Sequence, residues 1–173
     1  MAKRRVFADT NVVIEAFRTG CWTALCERYD VETVEKCVEE ALTGNPDEPR
    51  HVAISAEDLN AGLANQHPVS RGEIATLVLA FPCCGALDDG EKHLLARLHA
   101  DKSLPAPLLV VSTADKAALV ASHQLGWLDS LASLEVLARE AGASKADLIA
   151  LHLQYREDWL VGIKTKIRLG IIP

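Results

Sequence analysis

No run of apolar residues in this chain approaches the ~20 that a membrane-spanning helix requires. The basic residues Lys3, Arg4 and Arg5 are not followed by the apolar stretch of a signal peptide, because polar Thr10, Asn11, Glu15 and Arg18 interrupt at once. The two absences point to a cytoplasmic protein with no membrane association. Paired cysteines are also lacking. Cys21, Cys26, Cys37, Cys83 and Cys84 are odd in number and irregular in spacing, which favours reduced thiols over a disulfide framework. Adjacent Cys83 and Cys84 would be strained as a disulfide and read as turn or core residues. Together with His93 and His99 they lack the ligand spacing of a zinc site. Positive charge is scarce: 18 Lys and Arg against 24 Asp and Glu leave a formal charge of −6, which excludes a surface coated in positive charge. The basic residues that gather at the two ends, Lys3, Arg4 and Arg5, then Lys164, Lys166 and Arg168, read as ordinary solvated charge or as neighbours of a phosphate backbone or acidic partner.

The 173 residues are 49% apolar and 24% charged, enough for one domain with a real core. Internal repeats, low-complexity segments and a second domain are absent from the pattern. Arg5 to Ala8 reads as a short buried strand, with Thr10 or Asn11 capping a helix through about Phe17. Trp22 to Tyr29 suggests another helix, and Val31 with Thr33 a brief strand. Val34, Cys37, Val38, Ala41 and Leu42 form a helical stripe that Gly44, Asn45 and Pro46 close. Ser55 opens a helix to about Ala64. Ser70 and Glu73 have capping-box spacing before Ile74 to Leu79, a run ambiguous between helix and strand. Asp88 or Asp89 caps a helix to Ala100. Pro107 to Ser112 is the clearest buried strand, after which Thr113 caps a helix to about Leu125. Helices over Ser130 to Ala141 and Ser144 to about Leu160 follow, and residues 162–173 read as a last strand or an arm. Short strands separated by helices predict an α/β fold, a three-layer α/β/α sandwich with a small parallel sheet.

Four acids stand out against this pattern. Asp9 and Asp115 each follow an apolar strand and precede a helix, the place where open α/β sheets bind ligands. Both also suit the blander role of an acid at a helix N-terminus. Glu91 has the spacing of a capping box with Asp88, yet it shares a helical face with Leu94, Leu95 and Leu98, where an unpaired charge is costly. Spacing does not choose between Glu39 and Glu40, which flank the apolar stripe of their helix. Gathered at one sheet edge, such carboxylates suit a hard divalent cation. Thr10, Asn11, Ser112 and Thr113 are polar neighbours able to support them.

Asp9-Thr10-Asn11 after an apolar strand, Glu40-Ala41-Leu42-Thr43-Gly44, Gly90-Glu91 opening a Leu-rich helix, and Thr113-Ala114-Asp115 after an apolar strand together resemble the PIN-domain nucleases, which include the VapC-like toxins of toxin–antitoxin pairs. The likeness spans about residues 5–142, with 143–173 as a C-terminal helical extension of a single domain. It favours Glu40 over Glu39. It implies that Asp9, Glu40, Glu91 and Asp115 are catalytic and bind Mg²⁺ or Mn²⁺, with Thr10, Asn11 and Thr113 in support. It further implies a metal-dependent endoribonuclease acting on RNA, with an antitoxin protein and a second copy of the chain as partners. Many of the toxins carry Asp where this chain has Glu91, and they are often shorter. Net negative charge is compatible with such an enzyme, since its own acids contribute to the total and a bound cation reverses their local sign. Leu59, Leu63, Ile74, Leu77 and Leu79 could form an apolar groove for an antitoxin, although plain core is the more common use of such residues.

Three other classes compete. A catalytically inactive PIN-like module would bind RNA or protein, although the presence of all four acids disfavours it. A haloacid-dehalogenase-type phosphatase wants an aspartate two residues after its nucleophile, where this chain has Asn11. A phosphoacceptor receiver domain wants an acidic pair after the first strand and an aspartate after the third, and neither is clear.

Overall fold

A computed structural model describes residues 2–44 and 47–172; the helix stop expected at Asn45 and Pro46 lies outside the described residues, as does Pro173 at the end of the expected arm. The chain is an α/β protein built on an all-parallel, four-stranded sheet in the order β3-β2-β1-β4, with helices on both faces. Strand β1 is Arg5–Ala8, β2 Asp30–Val34, β3 Asn65–His67 and β4 Leu109–Ser112. Phe7 lies opposite Glu32 on one side and Val111 on the other, and Ala8 lies opposite Ser112. Val111 also bridges Leu131 in parallel, which continues the sheet by one residue pair beyond β4.

The period-2 alternation of the strands splits the interior into two cores. Phe7, Leu109 and Val111 face one way, onto α5 (Arg71–Ala80), α6 (Asp89–Asp101), α7 (Lys116–Gln124) and α10 (Glu157–Arg168). Val6, Ala8 and Val110 face the other, onto α1 (Thr10–Thr19), α2 (Trp22–Arg28), α4 (Ala56–Gly62), α8 (Leu134–Glu140) and α9 (Lys145–Ala150). Helix α3 (Glu35–Leu42) sits at the rim between them, with Cys37 in the first core and Ala41 in the second. This is the three-layer sandwich expected from the sequence. Among the described residues no helix is long and apolar enough to cross a membrane.

Several local expectations are corrected. The ambiguous run at Ile74–Leu79 is helix: Ser70 and Glu73 form a full capping box that starts α5. Val34, assigned to the helical stripe, instead ends β2 and stands just before α3. The polar segment Asn65–His67 is an edge strand that no apolar alternation announces. Helix α8 begins at Leu134 rather than near Ser130, because the Leu131–Ala132 backbone is drawn into the sheet, where the Ala132 amide bonds the Val111 carbonyl at 2.9 Å. The single helix expected over 144–160 is broken into α9, a 3₁₀ turn at Leu153–Tyr155, and α10. At the break the His152 amide donates to Glu15 at 2.8 Å, while Leu151 and Tyr155 are buried on either side. The expected final strand or arm is α10 as far as Arg168, and Leu160, Ile163 and Ile167 are core residues.

One polar network lies within the sheet. Glu32, 1% exposed on β2, accepts from Arg5 Nη2 at 3.0 Å and pairs with His67 Nε2 at 2.6 Å. The His67 ring stacks on Phe7 with centroids 5.3 Å apart. The terminal basic residues are likewise engaged internally: Arg5 with Glu32, Lys164 with the Leu131 carbonyl at 2.7 Å, and Arg168 with Asp129.

Candidate functional site

Parallel strands deliver their carboxyl ends to one edge of the sheet, and that edge carries a cavity of about 560 Å³. Asp9, Glu40 and Glu91 line it, so three of the four acids singled out in the sequence share one wall system. Asp115 does not line the cavity, but its charge acts on both Asp9 and Glu91.

Asp9 leaves β1 and caps α1, a position the sequence offers to Thr10 or Asn11. Its Oδ1 accepts from the Val12 amide at 2.8 Å. Oδ2 is buried and makes no well-formed hydrogen bond among the described residues, although the Thr113 hydroxyl lies beside the carboxyl. A carboxylate held this way loses water without full compensation. Burial accordingly pushes the Asp9 carboxyl up to about 6; the Thr113 hydroxyl beside it and the Val12 amide pull it down, and the Asp115 charge pushes with burial.

Glu91 lies in the first turn of α6 and is 8% exposed. The capping box expected with Asp88 does not form, since Asp88 precedes the helix without a side-chain cap bond. Glu91 instead follows the face of Leu94, Leu95 and Leu98, all buried. Its carboxyl is pushed up to about 8, first by burial and then by the charges of Asp115, Asp9, Asp88 and Glu40. Every leading influence on Glu91 thus disfavours its charged form, burial first and then the charges of the other three predicted acids and Asp88.

Glu40 is held rather than free. Thr10 Oγ1 donates to its Oε2 at 2.7 Å and the Gly90 amide to its Oε1 at 3.1 Å. Thr10 therefore supports Glu40, not the Asp9 carboxylate that it adjoins in sequence. A Cβ on Gly90 would collide with the Glu40 carboxylate and stand 2.9 Å from Thr10 Oγ1, so any other residue requires Glu40 to shift from this position. Asp115 leaves β4 as the cap of α7, a role expected of Thr113; its Oδ1 accepts from the Ala118 amide at 3.0 Å. Thr113 Oγ1 accepts from the Asp115 amide at 3.3 Å. Asn11 is exposed at the cavity lining, and the buried Ser112 hydroxyl makes no hydrogen bond.

Asp88 and Asp89 also line the cavity, with Ile14 and Leu87 as its apolar part. Sequence reasoning treats the two aspartates only as helix caps; the density of acid in Asp88-Asp89-Gly90-Glu91 is the signal that marks them. Two lysines stand close by. Lys92 Nζ is 3.7 Å from Asp89, and Lys36 bonds Glu39 at 3.1 Å within reach of the Glu40 and Asp89 charges.

The charged lining consists of carboxylates, joined by the Thr10 hydroxyl and the Asn11 amide and by no His or Cys, which suits hard cations such as Mg²⁺ or Mn²⁺. The unpartnered buried Oδ2 of Asp9 fits the same chemistry. Among the described residues no group of three or more His, Cys, Asp or Glu side chains is arranged to hold a metal ion as it stands. Compared with protein-family models, curated proteins and solved structures, the chain matches none.

The apolar residues expected to form a groove divide between the two cores. Leu59 and Leu63 pack in one, Ile74 and Leu77 in the other, and Leu79 is 83% exposed on its own.

Proposed function

We propose that the chain is a metal-dependent endoribonuclease that hydrolyses RNA phosphodiester bonds at the Asp9–Glu40–Glu91–Asp115 edge with Mg²⁺ or Mn²⁺. The observation that carries this reading is Asp9 Oδ2, which is buried, makes no well-formed hydrogen bond among the described residues, and belongs to a carboxylate that lines a cavity with Glu40, Asp88, Asp89 and Glu91. A structural acid in that place would have a donor; a cation-binding acid needs an oxygen kept free. The resemblance of the four sequence segments to PIN-domain nucleases supplies RNA as the substrate class, and an antitoxin and a second copy of the chain belong to the same reading.

In this reading Asp9 and Glu91 would bind the cation, with Asp115 completing the negative field from behind them. Glu40 is pre-set by Thr10 and Gly90, the sequence neighbours of Asp9 and Glu91. A bound Mg²⁺ or Mn²⁺ supplies Lewis acidity toward the phosphate and lowers the pKa of a water. Lys36 and Lys92 offer positive charge to the phosphates of the entering strand, and Asn11 offers an amide at the rim.

The test is cleavage of a mixed RNA pool with Mg²⁺, Mn²⁺ or EDTA, beside Asp9→Asn. Metal-dependent cutting that disappears in the variant supports the reading. A second reading, a module that binds RNA or protein without cleaving, is favoured by two observations: both Glu40 oxygens are already engaged, and among the described residues no three acids are arranged to hold a metal ion. Equal traces for wild type and variant, with RNA retained on the protein, would select it.

A further inference from the structure

We propose that Asp88 is an additional cation-holding residue of this cavity, reaching the ion through one bound water; the inference rests on the metal-dependent reading above. Asp88 lines the same cavity as Asp9 and Glu91. It sits immediately before α6, where an aspartate normally accepts from a backbone amide two or three residues on. Here it makes no such bond. A carboxylate that declines its usual cap, next to a helix start with positive partial charge, is left available to another partner. Its charge is among those that act on Glu91, three residues on in the same cavity lining.

Inside the cavity, the oxygens compete unequally for an ion. Both Glu40 oxygens hold donors, and Asp115 stands outside the lining. Asp89, the neighbour of Asp88, is near Lys92, which offsets its charge. Free donor capacity therefore concentrates on Asp9 Oδ2, Glu91 and Asp88. The first two are buried, whereas Asp88 is exposed at the opening. Mg²⁺ and Mn²⁺ keep several waters when bound, so an exposed carboxylate at the mouth accepts hydrogen bonds from those waters more readily than it displaces them. The orphaned Asp9 oxygen is the independent sign that an ion belongs here.

The experiment is a Mn²⁺ titration followed by electron paramagnetic resonance of the free ion, on the whole chain, with no RNA present. It compares wild type, Asp88→Asn, Asp89→Asn and Asp9→Asn. Asparagine keeps the size of Asp88, which is exposed and makes no cap bond that the change would remove, so folding is not at stake. Asp88→Asn should weaken Mn²⁺ binding about 10-fold, as loss of a second-layer partner does, while Asp89→Asn changes it less than about 2-fold because Lys92 screens that acid. Unchanged binding in Asp88→Asn overturns the role of Asp88 and leaves the metal site standing. Equal losses in the two variants also overturn it, since they would report only total charge. Absence of Mn²⁺ binding in wild type, or binding unaffected by Asp9→Asn, would instead overturn the metal-dependent reading itself.

Discussion

The hydroxyl of Thr10 donates to Glu40 Oε2 across 2.7 Å, tying the first turn of α1 to α3. Replacing Thr10 by Val keeps the shape and removes the donor. A hydrogen bond to a charged group is worth about 1.5–3 kcal/mol, and partial exposure of Glu40 places the loss near the lower end. Thr10→Ser should retain most of the stability. Urea denaturation of the two variants compares them directly, and equal loss in both would show that the methyl group, not the hydroxyl, matters.

Gly90 and Gly162 should respond in opposite directions to alanine. Both lie in helices, where alanine is ordinarily favoured by about 0.5–1 kcal/mol. At Gly162 nothing lies within 4 Å of the new methyl, so stability should rise by that amount. At Gly90 the methyl meets the Glu40 carboxylate and Thr10, and steric cost of about 1–3 kcal/mol should outweigh propensity. Paired melting curves decide the matter; a stabilised Gly90→Ala would mean that Glu40 swings aside freely.

Stability should pass through a maximum at about pH 4 in EDTA, within the ordinary carboxylate range. On the alkaline side, burial holds Asp9 at about 6 and Glu91 at about 8, above their ordinary values of 3.8 and 4.5. Between the ordinary and the raised values the folded chain binds more protons than the unfolded one, so stability falls from about pH 4 upward and the loss is complete only above about 6 for Asp9 and about 8 for Glu91. On the acid side, Glu15 and Glu32 behave oppositely. Burial raises them, but Arg18 and His152, or Arg5 and His67, outweigh it and leave both carboxyls lowered. Their stabilisation is present above the ordinary carboxylate value and is lost as pH falls through the lowered one. Unfolding free energies from pH 3 to 9 would trace both limbs. Asp9→Asn with Glu91→Gln should flatten only the alkaline limb, and a wild-type curve already flat from pH 5 to 8 would refute the assignment.

Residues 143–173 should prove inseparable from the rest. Ile163 on α10 is buried in the core cluster that contains Phe7 and Val111. Ile163→Ala should cost about 2–5 kcal/mol. Glu15 anchors the break before α10 by accepting from the His152 amide and from Arg18. A chain ending at residue 142 would expose the surfaces that Leu160, Ile163 and Ile167 cover, and should be insoluble or bind a hydrophobic dye. A monomeric truncated chain with an unchanged melting temperature would show that the extension is dispensable.

The fold class was legible because it depends on short-range pattern. Apolar runs at Arg5–Ala8 and up to Ser112, each followed at once by a helical stretch, leave few arrangements other than a parallel layered sheet. The edge strand Asn65–His67 was not legible: its pairing comes from β2 beside it, and its own residues carry no alternation. Helix caps were misassigned by one or two positions at Asp9 and Asp115, since Asp, Thr and Asn all serve there and only the turn geometry selects one.

By itself the sequence determined the layered α/β class and the acids worth watching, since both are written in local periodicity and in residues placed after strands. Tertiary structure alone decided which of those acids meet. Helices α1, α3 and α6 bring Asp9, Glu40 and Glu91 to one cavity over separations that no local signal reports, and Thr10 turned from its neighbour Asp9 to Glu40, thirty residues away. The C-terminal extension, too, became core only through packing, because the face of α10 that carries Ile163 has meaning only against the sheet it covers.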